Sequence, residues 1–457
     1  MARAKKETAL TPEERLQAAL VPDWEWPYKL PENWCWTNWG ECGEFVAGSG
    51  FKNEYQGFTN YDIPFYKVSS LKTANETGYL CDNTNTVDET VRKKLKAALI
   101  PANSLLFAKI GEAIRLNRRA INTVPCCVDN NMMAFIPIIC QLKYAFYWSK
   151  GIDLYDFTNA TTVPAIRKTD LEKISFPLAP LAEQQRIVDR IESLFAKLDE
   201  AKEKAQAVLD SFETRKAAIL HKAFTGELTA KWREEHGVRM ESWEHHQFSD
   251  LCAIVRGGSP RPAGDPRYYD GNIPFMKVAD ITRNDSPYVS KVEYSIKKEG
   301  LKKTRMVEAN TLLLTNSGAT LGAPAITTIR TTFNDGIAAF IGLDIDSLLF
   351  YYYFWTSKTA FLRSINMGAA QPNLNTKLIG EVEIDVPQTA ERVEIARVLN
   401  ALLSKEQQAK EAAEAVLDQI DLMKKSILAR AFRGELGTND PSEESAVELL
   451  KEIIRRG

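Results

Sequence analysis

The chain has 457 residues, 44% apolar and 26% charged, which is enough for roughly two to four globular domains. No apolar run approaches the roughly 20 residues of a membrane span, and MARAKKETALTPEERLQ lacks the apolar stretch of a signal peptide, so a soluble cytoplasmic protein without a membrane partner is expected. A net charge of −2 argues weakly against a polyanion, and the seven cysteines and four histidines lack metal-ligand spacing, so they read as packing and solvated groups.

In chain order, residues 1–26 read as an N-terminal extension. Residues 27–163 mix short apolar runs with turn residues, such as IPFYKV after Asp62 and SLLFAKIG after Asn103, the pattern of short strands. Residues 164–237 begin with FPLAPLAEQQRIV, a proline-bounded helix start, and continue with a four-three seam at Ile187, Ile191, Leu194, Leu198, Ala201, Ala205, Val208 and Phe212. Gly226 is the expected stop. Residues 238–371 bring back the strand pattern as IPFMKV from Ile273 and TLLLTNSG from Thr311. Residues 372–437 repeat the helix, with Ile395, Leu399, Leu402, Val416, Ile420 and Ile427 in the seam and Gly434 as the stop, and residues 438–457 form a C-terminal extension.

The helical blocks match at a constant offset of 208 residues: Ala207, Val208, Leu209 and Asp210 recur as Ala415, Val416, Leu417 and Asp418, in a register running back to Pro164 and Pro372. A period this long, present twice, indicates duplication of a domain plus a helix rather than a solenoid. The seam in both copies predicts two helices, each roughly 60 Å long, packed antiparallel as a coiled coil with a globular domain at each end. The intervening domains have diverged further, and they are the basic parts: residues 44–163 hold 13 Lys or Arg against 11 acids, and 251–371 hold 14 against 10.

The stretches GGSPRPAGDPRYYDGNIPFMKVADI, VEANTLLLTNSGATLGAPAI and GAAQPNLNTKLIGEVEIDVP resemble, in order, a target recognition domain of the specificity subunit of type I restriction-modification enzymes. GSGFKNEYQGFTNYDIPFYKVSSL, SLLFAKIGEAIRLNRRAI and VDNNMMAFIP resemble a second, distinct subtype, and PLAEQQRIVDRIESLFAKLDEAK resembles the spacer helix. The resemblance implies two tandem α/β (α+β) recognition domains separated by long antiparallel coiled-coil helices, with pseudo-twofold symmetry. It further implies that each domain reads half of a split, asymmetric double-stranded DNA target. Two modification subunits would supply S-adenosylmethionine and methylate adenine, and restriction subunits would use ATP and magnesium. The second spacer carries Glu406 in place of Leu198, and AERVE where the first has EQQR, which implies unequal docking faces.

The chain itself offers no matching catalytic machinery. Asn272-Ile273-Pro274-Phe275 and Asp62-Ile63-Pro64-Phe65 lack the second proline of a methyltransferase corner, and no GxxxxGK[ST] phosphate loop occurs. A stand-alone methyltransferase and a coiled-coil adaptor without DNA binding are the weaker readings; no cofactor and no metal is expected on this chain. Direct readout of DNA takes Arg or Lys to guanine and Asn or Gln to adenine. The candidates are Lys52, Lys109, Arg115, Asn117, Arg118 and Arg119 in the first domain, and Arg256, Ser259, Arg261, Arg267, Lys277, Asn316 and Ser317 in the second.

Overall fold

Where apolar residues alternate between glycine, proline and asparagine, the backbone is extended; where they recur every three to four residues, it is helical. The computed structural model describes residues 11–80, 82–159, 163–284, 286–364 and 374–456, so Cys81, Pro372 and the GAAQPN of the last recognition-domain stretch lie outside the described residues. The chain divides into two compact units, Met1–Lys204 with Val416–Gly457, and Ala205–Ala415.

In the first unit, a four-stranded antiparallel sheet has the order Gly43–Ala47, Met132–Pro137, Leu105–Ala108, Arg119–Ile121. Beside it, Ile63–Tyr66 pairs antiparallel with Thr86–Val87 and parallel with Cys127–Val128. Trp39 is fully buried between Phe45, Phe107, Phe135 and Trp148, with ring centroids 4.8 to 5.8 Å from its own. Such aromatic clusters contribute by area and by edge-to-face contact. The same core takes in Ile187, Val188 and Ile191 of the helix Leu181–Phe224, and Leu428, Ala431 and Phe432 at the end of the helix Thr389–Ala431 and just beyond it. The described residues of the two terminal extensions include a helix each. Pro12–Ala19 starts at a capping box in which Thr11 and Glu14 exchange side-chain and backbone hydrogen bonds, and it packs on Val447–Arg456, whose Leu450 is buried.

In the second unit, a five-stranded sheet has the order Ala253–Arg256, Ile337–Ile341, Thr311–Thr315, Pro324–Thr327, Tyr288–Val289. A four-stranded sheet has the order Tyr294–Ile296, Tyr269–Met276, Thr331–Phe333, Arg305–Val307, in which Tyr269–Met276 and Thr331–Phe333 run parallel. Phe248, Phe340, Tyr351, Phe354 and Trp355 form the aromatic core, joined by Leu220, Ile395 and Leu399 of the long helices. Both units are thus mixtures of helix and sheet, with one parallel strand pair in the first and two in the second, where Tyr288–Val289 also runs parallel to Pro324–Thr327.

Within each unit the long helices run in opposite directions. In the second, Arg215 Nε donates to Glu406 Oε2 at 2.7 Å and Lys410 lies 5.1 Å from the ring centre of Phe212, so higher numbers on one helix meet lower numbers on the other. In the first, Lys424 pairs with Asp199, while Asn439, further along the chain, reaches back to Glu183 at the start of the other helix. Of the predicted seam, Ile187, Ile191, Phe212, Ile395, Leu399 and Ile420 are buried, and Leu194, Leu198, Val208, Leu402 and Ile427 are half-buried. Val416 corrects the prediction: it is 40% exposed, and the inward positions are Ala413, Leu417, Ile420, Lys424 and Ile427. An α-helix drifts about 20° per heptad against a strict seven-residue repeat, which is enough to move the seam by one residue over this length.

Each unit closes on a buried glutamate in the first turn of a long helix, and the two sit 208 positions apart. Glu183 accepts from Trp34 Nε1 at 2.7 Å and Asn439 Nδ2 at 2.8 Å. Glu391 accepts from Arg233 Nη1 at 2.5 Å, Thr229 Oγ1 at 2.7 Å and Trp243 Nε1 at 3.0 Å. A tryptophan near the start of the domain, the start of one helix and the segment after the other are therefore tied at one point in each unit. The first unit is thereby completed by chain 256 positions away in sequence, Asn439 on Glu183, and the second by chain 148 to 162 positions away, Trp243, Arg233 and Thr229 on Glu391.

Candidate nucleic-acid interface

Four loops converge in each unit, held by backbone hydrogen bonds that match one for one. In the first unit, Asp129 N donates to Tyr66 O (2.9 Å), Lys109 N to Asn131 O (2.8 Å), Ser49 N to Val128 O (3.1 Å) and Gly48 N to Met132 O (3.2 Å). In the second, Asn334 N donates to Met276 O (3.0 Å), Asn316 N to Gly336 O (2.9 Å), Gly258 N to Phe333 O (3.1 Å) and Gly257 N to Ile337 O (2.9 Å). The approach is close enough to demand glycine: a Cβ on Gly48 would fall 1.8 Å from the Asp129 carbonyl oxygen, and one on Gly257 would fall 2.2 Å from that of Asn334. By these bonds Lys67 is the counterpart of Lys277, Lys109 of Asn316, and the turn Asp129-Asn130-Asn131 of Asn334-Asp335-Gly336; Lys52 and Arg261 each follow three residues after the matched Ser49 and Gly258.

One frame thus carries different chemistry. In the first unit Lys52 is exposed on a 470 Å³ concavity with Gly50, Phe51, Lys94, Leu95 and Asn130. Phe51 is stacked on Phe65 with ring centres 3.9 Å apart, which fixes the loop that presents Lys52. Lys67 donates to Gln56 Oε1 at 2.8 Å. Asp129 is buried, and burial holds its carboxyl above the usual carboxylate range while the amide of Asn131 works the other way. Half-burial lowers the Lys109 ammonium, and the charge of Asp129 opposes the shift.

In the second unit Asp335 organises the cations. Its Oδ1 accepts from Ser259 Oγ at 2.6 Å, its Oδ2 from Arg261 Nη2 at 3.4 Å, and its carbonyl from Arg256 Nε at 2.7 Å. Lys277 lies 3.1 Å from the ring centre of Tyr294, beside Arg261 and Asp335 on a 270 Å³ cavity. Ser317 Oγ borders Gly336 and so joins the cluster. Arg267 stands apart, paired with Asp265 at 2.6 Å.

The remaining candidates divide by burial. Arg118 is exposed. Arg115 is exposed too, with its guanidinium over the Tyr155 ring and paired with Glu112 at 2.8 Å. Asn117 is structural: its Nδ2 donates to Ile152 O at 2.9 Å and its Oδ1 accepts from Arg119. Arg119 departs from the expected surface role. It is buried, bonded through Nη2 to Asn117 Oδ1 (2.7 Å) and Ser149 O (3.2 Å), and burial lowers its guanidinium to about 9. Asn316 is also fully buried, and neither its amide oxygen nor its nitrogen has a partner among the described residues. Two pairs of consecutive residues, Asn130-Asn131 and Asn334-Asp335, belong to this cluster and are absent from the candidates read from the sequence. The runs VDNN and FNDG carry the signal, since asparagine and aspartate after a strand mark the turn where side chains leave the sheet.

No described group of three or more His, Cys, Asp or Glu residues could hold a metal, and no described helix is long and apolar enough to cross a membrane. The six described cysteines are free thiols.

A loop cluster built twice on mixed sheets, with cations and amides at its surface, defines a chain of two recognition modules. The chain matches the family described as type I restriction modification DNA specificity domain over residues 31–209 and 240–415, and it belongs to that family. It is a selecting rather than a catalysing component of such a system. Among similar proteins, the type I restriction enzyme EcoBI specificity subunit of Escherichia coli is 26% identical over 326 residues, covering 65% of this chain and 67% of the relative. The MjaIX specificity subunit of Methanocaldococcus jannaschii is 30% identical over 164 residues, 35% of this chain and 38% of the relative. The solved structure of the HsdS subunit from Thermoanaerobacter tengcongensis shares the fold, with a TM-score of 0.65 at 18% identity, covering 90% of this chain and 100% of that one.

Proposed function

We propose that each unit reads one half of a split, asymmetric DNA target, and that the long helices, paired as an antiparallel coiled coil in a pseudo-twofold arrangement, set the gap between the halves. The observation that carries this reading is the matched frame of backbone hydrogen bonds with unmatched side chains: Lys109 against Asn316, and Asn130 against Asp335. One scaffold copied twice with altered loop residues is what two different half-sites require, because base identity is read by the donors and acceptors a side chain presents. The proposed contact set is Lys52, Lys109, Arg115, Arg118, Arg256, Ser259, Arg261, Arg267, Lys277 and Ser317; Arg119, Asn117 and Asn316 support the loops from inside.

Catalysis is assigned to partners. Two modification subunits would dock on the helices and bring S-adenosylmethionine, and restriction subunits would bring ATP and magnesium. Glu406 supports unequal docking faces: it is held by Arg215 in the second unit, where the first copy of the helix has Leu198. The test is methylome sequencing of cells that express the chain with its modification subunit. A two-part motif with a fixed gap is expected, and methylation without a sequence motif would refute the reading. The complex should bind DNA with a steep salt dependence, since phosphate contacts release counterions.

A further inference from the structure

One turn differs in chemistry between the two frames: Asn130 stands where the second unit has Asp335. Among the described residues the Asn130 side chain makes no hydrogen bond; it is exposed and lines the 470 Å³ concavity with Lys52 and Lys94. Its counterpart Asp335 is an acceptor already engaged by Ser259 and Arg261. A free amide presents one donor group beside one acceptor. A phosphate accepts only, so an amide wastes half of its capacity there, and the two lysines flanking Asn130 supply the donors a phosphate needs. The base edge that offers an acceptor beside a donor in the major groove is adenine, through N7 and the N6 amino group.

We propose that Asn130 is a specificity-determining residue that reads one adenine in the half-site bound by the first unit, with Lys52 and Lys94 on the adjoining phosphates. This rests on the function proposed above and adds to it a base, a residue and a half-site. Asp335 cannot replace it: a carboxylate lacks the donor for N7, and it is neutralised by Arg261. The two units therefore present different patterns from one turn.

The test is a coupling measurement on the purified complex of the full chain with its modification subunits. Binding is measured to target duplexes in which each adenine of the half-site is replaced in turn by 7-deazaadenine, which lacks the N7 acceptor. The wild-type complex should lose roughly five- to hundredfold in affinity at one position. With Asn130→Ala the same replacement should cost almost nothing, while sensitivity at the other positions is kept. Lys52→Ala should weaken binding evenly across sequences and lower the salt slope by about one, leaving the 7-deazaadenine effect in place. If every adenine position responds alike in the wild type and in Asn130→Ala, the proposal is overturned. If the wild-type complex shows no sequence preference at all, the function proposed above fails instead. Unchanged thermal unfolding of the variant separates a lost contact from a lost fold.

Discussion

Removing the carboxylate of Glu391 should damage the second unit far more than the matching change at Glu183 damages the first. Glu391 is fully buried, and Arg233, whose side chain is 10% exposed, gives it a charge-assisted hydrogen bond of 2.5 Å. Arg233 also donates to Gly226 O at 2.6 Å and to Thr229 Oγ1 at 3.1 Å, so it cannot swing out to solvent without breaking the end of the first long helix. Glu391→Gln keeps the shape and leaves a buried cation without its counter-charge, a loss on the order of 3–5 kcal/mol when one member of a buried pair is removed. Glu183 receives neutral donors, Trp34 Nε1 and Asn439 Nδ2, while the nearby Arg186 is committed to Glu443 through two bonds of 2.8 Å. Both donors meet the same oxygen, Oε2, and Thr438 Oγ1 meets Oε1 at 3.4 Å, so the amide oxygen of Glu183→Gln can still accept from both and its cost should stay near that of one weakened hydrogen bond, about 1 kcal/mol. Urea unfolding followed by tryptophan fluorescence reads both units, because Trp34 and Trp243 donate to the two carboxylates. Equal shifts for the two substitutions, or a larger shift for Glu183→Gln, would refute the assignment of the charge to Arg233.

Three further outcomes follow from named contacts. Burial raises the Glu183 carboxyl above its ordinary value of 4.5, so the folded state holds its proton to higher pH than the unfolded chain does; stability should fall as pH rises from about 4.5 through the folded value, and Glu183→Gln should flatten that part of the stability profile. Exchanging the charges of Arg215 and Glu406 should restore most of the stability that either reversal alone removes, with a coupling of about 1 kcal/mol in a double-mutant cycle; full additivity would contradict the pairing of the helices in the second unit. Inserting four residues into each long helix lengthens it by roughly 6 Å, nearly two base pairs at about 3.4 Å each, so methylome sequencing should show both half-sites unchanged and a wider gap.

The helices were the most legible part of the sequence, because a four-three spacing and a glycine stop depend on residues close in the chain; Gly226 and Gly434 both adopt left-handed backbone, with φ of 80° and 73°. The strands at Ile63, Leu105, Ile273 and Thr311 were legible for the same local reason. What stayed hidden depends on distance. Nothing near Glu183 announces that Trp34 and Asn439 will reach it, and nothing near Arg119 shows that Ser149 will cover it, so a residue written among surface cations proves to be interior. The Val416 prediction failed by one position because a strict heptad was carried too far along a straight helix. Asn130 and Asp335 are not legible in the sequence, because each acquires meaning only beside its counterpart, and that correspondence comes from backbone hydrogen bonds rather than from a constant offset. The terminal extensions, read as separate pieces, pack together because Thr11, Pro12 and Glu14 start a helix and Leu450 gives the last one a buried face.

The central claim, that two units on one chain read two separate halves of a DNA target, is tested most directly by replacing residues 44–163 with the corresponding segment of another recognition domain and sequencing the methylome. The account predicts a motif in which one half changes, while the other half and the gap remain as in the parent. A motif altered in both halves, or in neither, would contradict it.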